Sequence, residues 1–260
     1  KFGRLQFLVL DEADRMLDMG FQDDIMRIVN MLPAGRQTLL FSATMPEKIR
    51  QLARTILRSP AEVNIAISKP PEKIVQQAYV VYDPQKQELV RYLLQQIPYK
   101  SALIFCGRKQ DVKQLTRLLK KYGFSVAEMH SDLAQAAREE VMLGFASGQF
   151  PILVATDILS RGIDIDTIDL VVNYDVPHDG EDYVHRIGRT ARAEAEGIAI
   201  TIIGEKEQRR FAAIEQLLGK TIEKAAVPSF LGSVPAYEVR GRNDNRPRRN
   251  FHHKRRPGNN

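Results

Sequence analysis

Phe7-Leu8-Val9-Leu10-Asp11-Glu12-Ala13-Asp14-Arg15-Met16-Leu17-Asp18-Met19-Gly20 is the stretch whose reading decides the fold. Phe7 to Leu10 is a continuous apolar run, which suits a strand buried on both faces of a parallel sheet. It ends abruptly in two carboxylates, Asp11 and Glu12. In open α/β sheets the carboxyl ends of the strands are where ligands bind. An Asp there can hold a magnesium ion through water, and a neighbouring Glu can polarise an attacking water. A solvated acidic turn is the plain alternative.

Working outward, Gln37 to Phe41 reads as a second buried strand, ending in Ser42-Ala43-Thr44. Helical patterns cover Asp14 to Leu17, Asp23 to Leu32 and, opened by Pro46, Glu47 to Leu57. Two strands are too few for a doubly wound domain, so residues 1–67 read as the rear part of one. Paired prolines in Ser68-Lys-Pro-Pro-Glu72 mark a linker over 68–73. From 74 to 227 strand-like runs (Ile74 to Tyr82, Ala102 to Cys106, Ser125 to His130, Ile152 to Ala155, Leu170 to Asn173, Ile198 to Ile203) alternate with helical patterns. The helical stretches are Gln85 to Gln96, Asp111 to Tyr122, Gln135 to Phe145, Glu181 to Arg186 and Glu205 to Leu218. Such alternation predicts a complete α/β domain, a parallel sheet covered by helices.

Composition narrows the class. A chain of 260 residues with 43% hydrophobic and 27% charged residues is that of a soluble globular protein. No apolar run is long enough to span a membrane, and no signal peptide opens the chain. The single cysteine, Cys106, excludes an internal disulfide, suits a cytoplasmic location and reads as a small core residue. The net charge of +6 is carried by Arg240 to Asn260, where eight Lys or Arg face one acid, Asp244. Residues 228–260 are therefore expected to be a disordered basic tail.

Three further segments carry chemistry. Ser42 and Thr44 stand at a strand end, where hydroxyls can bond the carboxylates of the neighbouring strand. Ala155-Thr156-Asp157 follows an apolar run and leads to Arg161-Gly162-Ile163-Asp164, in which Gly162 permits a tight turn and Asp164 can accept from a ribose hydroxyl. His185-Arg186-Ile187-Gly188-Arg189-Thr190-Ala191-Arg192 is the most specific. On a helix at 100° per residue, His185, Arg189 and Arg192 fall within about 60° of one another. Concentrated positive charge with few acids in register suits a polyphosphate, and the planar arginine fork binds two of its oxygens at once. A solvated basic stripe is the alternative.

Together, Asp11-Glu12-Ala13-Asp14, Ser42-Ala43-Thr44, Ala155 to Asp164 and His185 to Arg192 resemble motifs II, III, V and VI of the DEAD-box RNA helicases, in order and spacing. Leu103-Ile-Phe-Cys106-Gly107-Arg108 resembles motif IV, and Gln135-Ala-Ala-Arg138 the Gln-x-x-Arg element that meets the RNA backbone. Ala191 departs from the glycine frequent in the family, a change between small residues.

The resemblance implies two RecA-like domains, with ATP and magnesium between them and RNA across both, driven closed by ATP. It implies catalytic roles for Asp11 (metal), Glu12, Ser42, Thr44, His185 and the fingers Arg189 and Arg192. Nucleotide contacts fall to Gly162, Asp164, Arg189 and Arg192, and RNA contacts to Arg108, Gln135, Arg138, Thr156 and Asp157. A cytoplasmic monomer is expected, and the basic tail points to a bacterial RhlE-like member. The phosphate loop G-x-x-x-x-G-K-[ST] is absent from the 260 residues. The expectation is a truncated chain, inactive by itself. A non-catalytic RNA-binding module and a DNA translocase of the same superfamily are the competing readings.

Overall fold

The computed structural model describes residues 2–64, 73–157, 168–190 and 197–238. Two compact units part between Lys69 and Pro70, inside the expected linker, most of which lies outside the described residues.

The first unit pairs β1 (Phe7–Leu10) in parallel with β2 (Gln37–Leu40), Phe7 opposite Gln37 and Leu10 opposite Leu40. Helices α1 (Ala13–Asp18), α2 (Gln22–Met31) and α3 (Glu47–Ile56) accompany them. Strand side chains alternate between faces. Leu8, Leu10 and Leu40 therefore pack against Ile25 and Val29 of α2 and Leu52 and Ile56 of α3. Phe7 and Val9 take the other face and are 61% and 56% exposed. The run is apolar enough to be buried on both faces of a complete sheet, but two strands make only part of one, and among the described residues helices cover one side. The same holds at β2, whose end leads to Phe41 at 53% exposure.

The second unit is the α/β domain the alternation predicts. Its strands are β3 (Ile74–Val81), β4 (Ala102–Cys106), β5 (Val126–Met129), β6 (Ile152–Thr156), β7 (Leu170–Asn173), β8 (Gly197–Gly204) and β9 (Glu223–Lys224). They form one seven-stranded sheet in the order β5-β6-β4-β7-β8-β3-β9, and every pairing among the described residues is parallel. Helices α4 (Lys86–Gln96), α5 (Lys109–Lys121), α6 (Gln135–Ala146), α7 (Gly180–Ile187) and α8 (Gln208–Leu218) cover it.

Strand β4 shows why its sequence is apolar throughout. Ala102, Ile104 and Cys106 face Leu89, Leu93, Leu115 and Leu119 of α4 and α5. Leu103 and Phe105 face the opposite way, into a cluster with Met129 and Phe145. Each such buried large side chain contributes about 1.5–3 kcal/mol. Tyr183, Ile187, Phe211 and Ile214 of α7 and α8 pack with Ile74, Ala78 and Ile203. Cys106 is fully buried, and burial pushes its thiol up, as befits a core residue.

Residues 228–238 overturn part of the tail reading. They form a strap along the domain. The Phe230 ring lies 5.4 Å from that of Tyr92. Gln85 Nε2 donates to Leu231 O at 2.8 Å and Ser233 O at 2.9 Å. The Gln208 amide donates to Ala236 O and accepts from Glu238 N, and Tyr237 OH donates to Glu215. Side-chain amides satisfy the strap's backbone groups, so it needs no periodicity of its own to be ordered. The remainder of the expected tail, 239–260, lies outside the described residues.

Candidate functional site

In the first unit the chemistry collects where β1 and β2 end. Glu12 adopts φ 50°, ψ 46°, the left-handed region that non-glycine residues rarely occupy. Such strain costs roughly 1–3 kcal/mol and persists only where the surroundings over-determine it. Here they do. Ala13 N donates to Phe41 O at 3.0 Å and Met16 N to Glu12 O at 3.1 Å. The Asp14 carboxylate accepts from Thr44 N at 2.9 Å and Thr44 Oγ1 at 3.0 Å, while Asp14 N donates to Ser42 Oγ at 3.2 Å. Ser42 Oγ in turn donates to Thr44 O at 2.7 Å.

Ser42 and Thr44 thus grip Asp14, the residue sequence reasoning left out of the site. The signal for it was the fourth letter of Asp11-Glu12-Ala13-Asp14. Partial burial pushes the Asp14 carboxyl up, but the Thr44 N–H and hydroxyl, helped by Arg15 N and Ser42, outweigh it and hold the group below the ordinary value. Asp11 and Glu12 remain exposed at the strand end. Asp11 Oδ1 accepts from Glu12 N at 2.9 Å.

In the second unit the strand ends are tied by two buried cations. Arg186, on α7, is 4% exposed. Its fork reaches Asp157 at 2.6 Å through both Nε and Nη2, and its Nη1 donates to Asn173 Oδ1 at 3.2 Å and Asp175 O at 3.0 Å. The guanidinium also lies over the Phe105 ring, 5.2 Å from its centroid. Arg186 therefore binds the ends of β6 and β7 to α7. Lys86 is equally buried and meets Glu207 at 2.7 Å, Asp175 at 3.2 Å and Asp83 at 3.4 Å. Desolvation alone would push its pKa down, yet Glu207 and Asp175 raise it. Asp175 Oδ2 accepts from Gly107 N at 2.7 Å, which sets the turn leading to Arg108. Lys86, Asp175, Arg186 and Glu207 line a cleft of about 600 Å³ with Arg108, His178 and Arg210.

The expected RNA contacts lie around the carboxyl ends of β4, β5 and β6. Thr156 ends β6, and Asp157, which follows it, is held by Arg186. Arg108 is exposed and pairs with Asp111 at 2.8 Å. Gln135 pairs with Glu139, and Arg138 donates to Leu133 O and Ser131 O of the loop that precedes its helix.

The expected helix face of His185, Arg189 and Arg192 is corrected. Helix α7 stops at Ile187 with Gly188 as its C-cap, so Arg189 follows the helix. A Cβ on Gly188 would come within 2.9 Å of Val184 O, so glycine is needed here for close approach. The chain then turns into the sheet, since Thr190 bridges Ile168, just before β7, and Ile168 N donates to Arg189 O. His185 is exposed and Arg189 half-buried. Arg189 consequently sits near the start of β7, while Asn173 and Gly107 mark the opposite strand ends. Gly162, Asp164 and Arg192 lie outside the described residues.

Comparison with known proteins agrees with this anatomy. Residues 1–52 match the family described as DEAD/DEAH box helicase, and residues 85–194 the helicase conserved C-terminal domain. The chain is 43% identical over 219 residues to DEAD-box ATP-dependent RNA helicase 46 of Arabidopsis thaliana, covering 83% of this chain and 34% of the relative. It is 40% identical over 231 residues to ATP-dependent RNA helicase CshA of Listeria monocytogenes, covering 88% of this chain and 44% of that protein. The solved structure of Saccharomyces cerevisiae Dbp5 bound to RNA and ADP BeF3 is similar with a TM-score of 0.76 at 31% identity, covering 86% of this chain and 60% of that one. The chain spans less than half the length of these two curated relatives. It belongs to the DEAD-box ATP-dependent RNA helicase family, comprising the end of the DEAD domain and the helicase C-terminal domain, both RecA-like.

Proposed function

We propose that the whole protein is an ATP-dependent RNA helicase that unwinds or remodels short RNA duplexes by ATP-driven closure of its two RecA-like domains. The observation that carries this is the strained turn at Glu12. Asp14, Ser42 and Thr44 lock it, which leaves Asp11 and Glu12 presented at a strand end. Asp11 suits a magnesium ion. It is exposed and offers hard oxygen donors, and only one of its oxygens has a partner among the described residues. When bound, magnesium neutralises charge on the phosphates. Glu12 takes the role of polarising the attacking water. Arg189, with Arg192, stabilises the charge of the transferring phosphoryl group, and Gly162 and Asp164 contact the nucleotide.

RNA lies on the strand ends that carry Arg108, Gln135, Arg138, Thr156 and Asp157. The basic tail adds sequence-independent phosphate contacts and favours an RhlE-like member. A cytoplasmic monomer fits the single buried cysteine and the lack, among the described residues, of any helix long and apolar enough to cross a membrane. For the 260 residues by themselves we propose RNA binding without turnover, because the G-x-x-x-x-G-K-[ST] loop that cradles β- and γ-phosphates is missing from their sequence.

The test compares phosphate release with single-stranded RNA and DNA, for these residues and for a longer version carrying a phosphate loop. Turnover in the longer version alone, stimulated by RNA and not DNA, is expected. DNA stimulation would favour a translocase, and turnover by residues 1–260 would remove the requirement for the loop.

A further inference from the structure

The candidate RNA residues leave one charged cluster beside them unexplained. Lys109 and Lys113 lie one turn apart on α5, and both donate to the same carboxylate. Lys109 Nζ is 2.8 Å from Asp132 Oδ1, and Lys113 Nζ is 2.7 Å from Asp132 Oδ2. Asp132 belongs to the loop between β5 and α6 and is anchored through its backbone, whose N–H donates to the buried His130 Nδ1 at 3.3 Å. In the sheet, β6 lies between β5 and β4. A link from the loop after β5 to the helix after β4 therefore passes by the end of β6, where Thr156 and Asp157 sit. Arg108 adjoins the cluster in sequence on one side, and Gln135 and Arg138 on the other.

The contrast with Arg186 and Asp157 is informative. That pair is buried and joins elements of the core, whereas the side chains of Lys109, Lys113 and Asp132 are 51%, 37% and 40% exposed. Exposed ion pairs add little to stability because water screens them. One carboxylate offering an oxygen to each of two ammonium groups has the form of a phosphodiester offering its two non-bridging oxygens. Hydrogen bonds from Lys109 and Lys113 take the Asp132 carboxyl down to about 2, so it stays ionised at every pH at which the protein would work.

We propose that Lys109 and Lys113 form a phosphate-binding step in the RNA path, and that Asp132 is its built-in competitor, a carboxylate seated where a backbone phosphate binds. RNA enters by displacing Asp132, which weakens unproductive binding of single phosphates and ties RNA engagement to movement of the loop that Arg138 holds through Ser131 O and Leu133 O. The inference rests on the reading of this unit as RNA-binding.

The experiment measures binding of a short fluorescent oligouridine to the 260-residue chain across a salt series. The variants are Asp132→Asn and the double variant Lys109→Gln with Lys113→Gln. Removing the competing charge is expected to tighten binding on the order of three-fold near 0.1 M salt, the effect of one exposed ion pair. The slope of log K against log salt should steepen by about 0.7, one more phosphate neutralised on a single strand. The lysine variant should weaken binding and flatten the slope by about 0.7 to 1.4. An Asp132→Asn variant that binds no tighter than wild type, or an unchanged slope in the lysine variant, overturns the inference. A wild-type chain that binds no oligouridine at any salt overturns the RNA-binding reading itself.

Discussion

Replacing Arg186 by alanine removes the tie that holds two strand ends to α7. The guanidinium is 4% exposed and makes four hydrogen bonds, two of them to Asp157. Removing one partner of a buried pair costs about 3–5 kcal/mol, because the remaining charge keeps its desolvation penalty. Asp157 is 24% exposed, so water relieves part of that penalty and the lower figure, about 3 kcal/mol, applies. At roughly 2–4 °C per kcal/mol for a unit of this size, the second unit should melt about 6–12 °C lower. Arg186→Lys keeps the charge but loses the two-pronged contact, so it should fall between wild type and alanine. Arg108→Ala, on an exposed arginine paired with Asp111, should cost under about 1 kcal/mol. Thermal and urea unfolding of the chain followed by circular dichroism reads all three. An Arg186→Ala variant within about 1 kcal/mol of wild type would refute the view that this pair holds the strand ends.

Other consequences are equally direct. In a version carrying a phosphate loop, Arg189→Ala should slow ATP turnover by a factor on the order of 10³ or more. RNA binding without nucleotide should change little, since Arg189 lies near the start of β7, away from the strand ends bearing the RNA candidates; equal losses in both assays would give Arg189 another role. Because the folded-state pKa of Asp14 is depressed, its contribution to stability is complete above its unfolded value near 3.8 and is lost as pH falls through the folded value. Thr44→Val removes one of the lowering bonds, so acid unfolding of the first unit should begin at higher pH than in wild type; an unchanged acid midpoint counts against the Asp14–Thr44 grip. Residues 70–238 should be better-behaved monomers than the whole chain, which exposes Phe7, Val9 and Phe41, and more stable than residues 70–228, which lack the strap. Light scattering and melting of the three chains check both statements.

Much of the architecture was legible because burial repeats. Ala102 to Cys106 and Leu170 to Asn173 were read with the bounds they have, since strands covered on both faces leave an unbroken apolar run. Elsewhere local pattern was the wrong guide. Phe7 to Leu10 has the same apolar character, but in a partial sheet only one of its faces meets helices among the described residues, so composition shows the strand and not its burial. The two-residue strand β9 is too short to carry a period. The strap at 228–238 is ordered by Gln85 and Gln208, which lie far away in sequence. The basic stripe assumed a continuous helix, while Gly188 and the Thr190–Ile168 bridge end it. Within the site, Asp11 and Glu12 were visible as acids at a strand end. The jobs of Asp14, Lys86 and Arg186 depend on which strand ends the fold brings together.

The central claim is that the turn at Glu12 serves phosphoryl transfer. Its most direct test is single-turnover ATP cleavage by a version carrying a phosphate loop, with saturating RNA, for wild type and Glu12→Gln. Loss of the polarising carboxylate should slow cleavage on the order of 10²- to 10⁴-fold, while RNA affinity in the presence of ATP is retained. Cleavage by Glu12→Gln at the wild-type rate would contradict the claim.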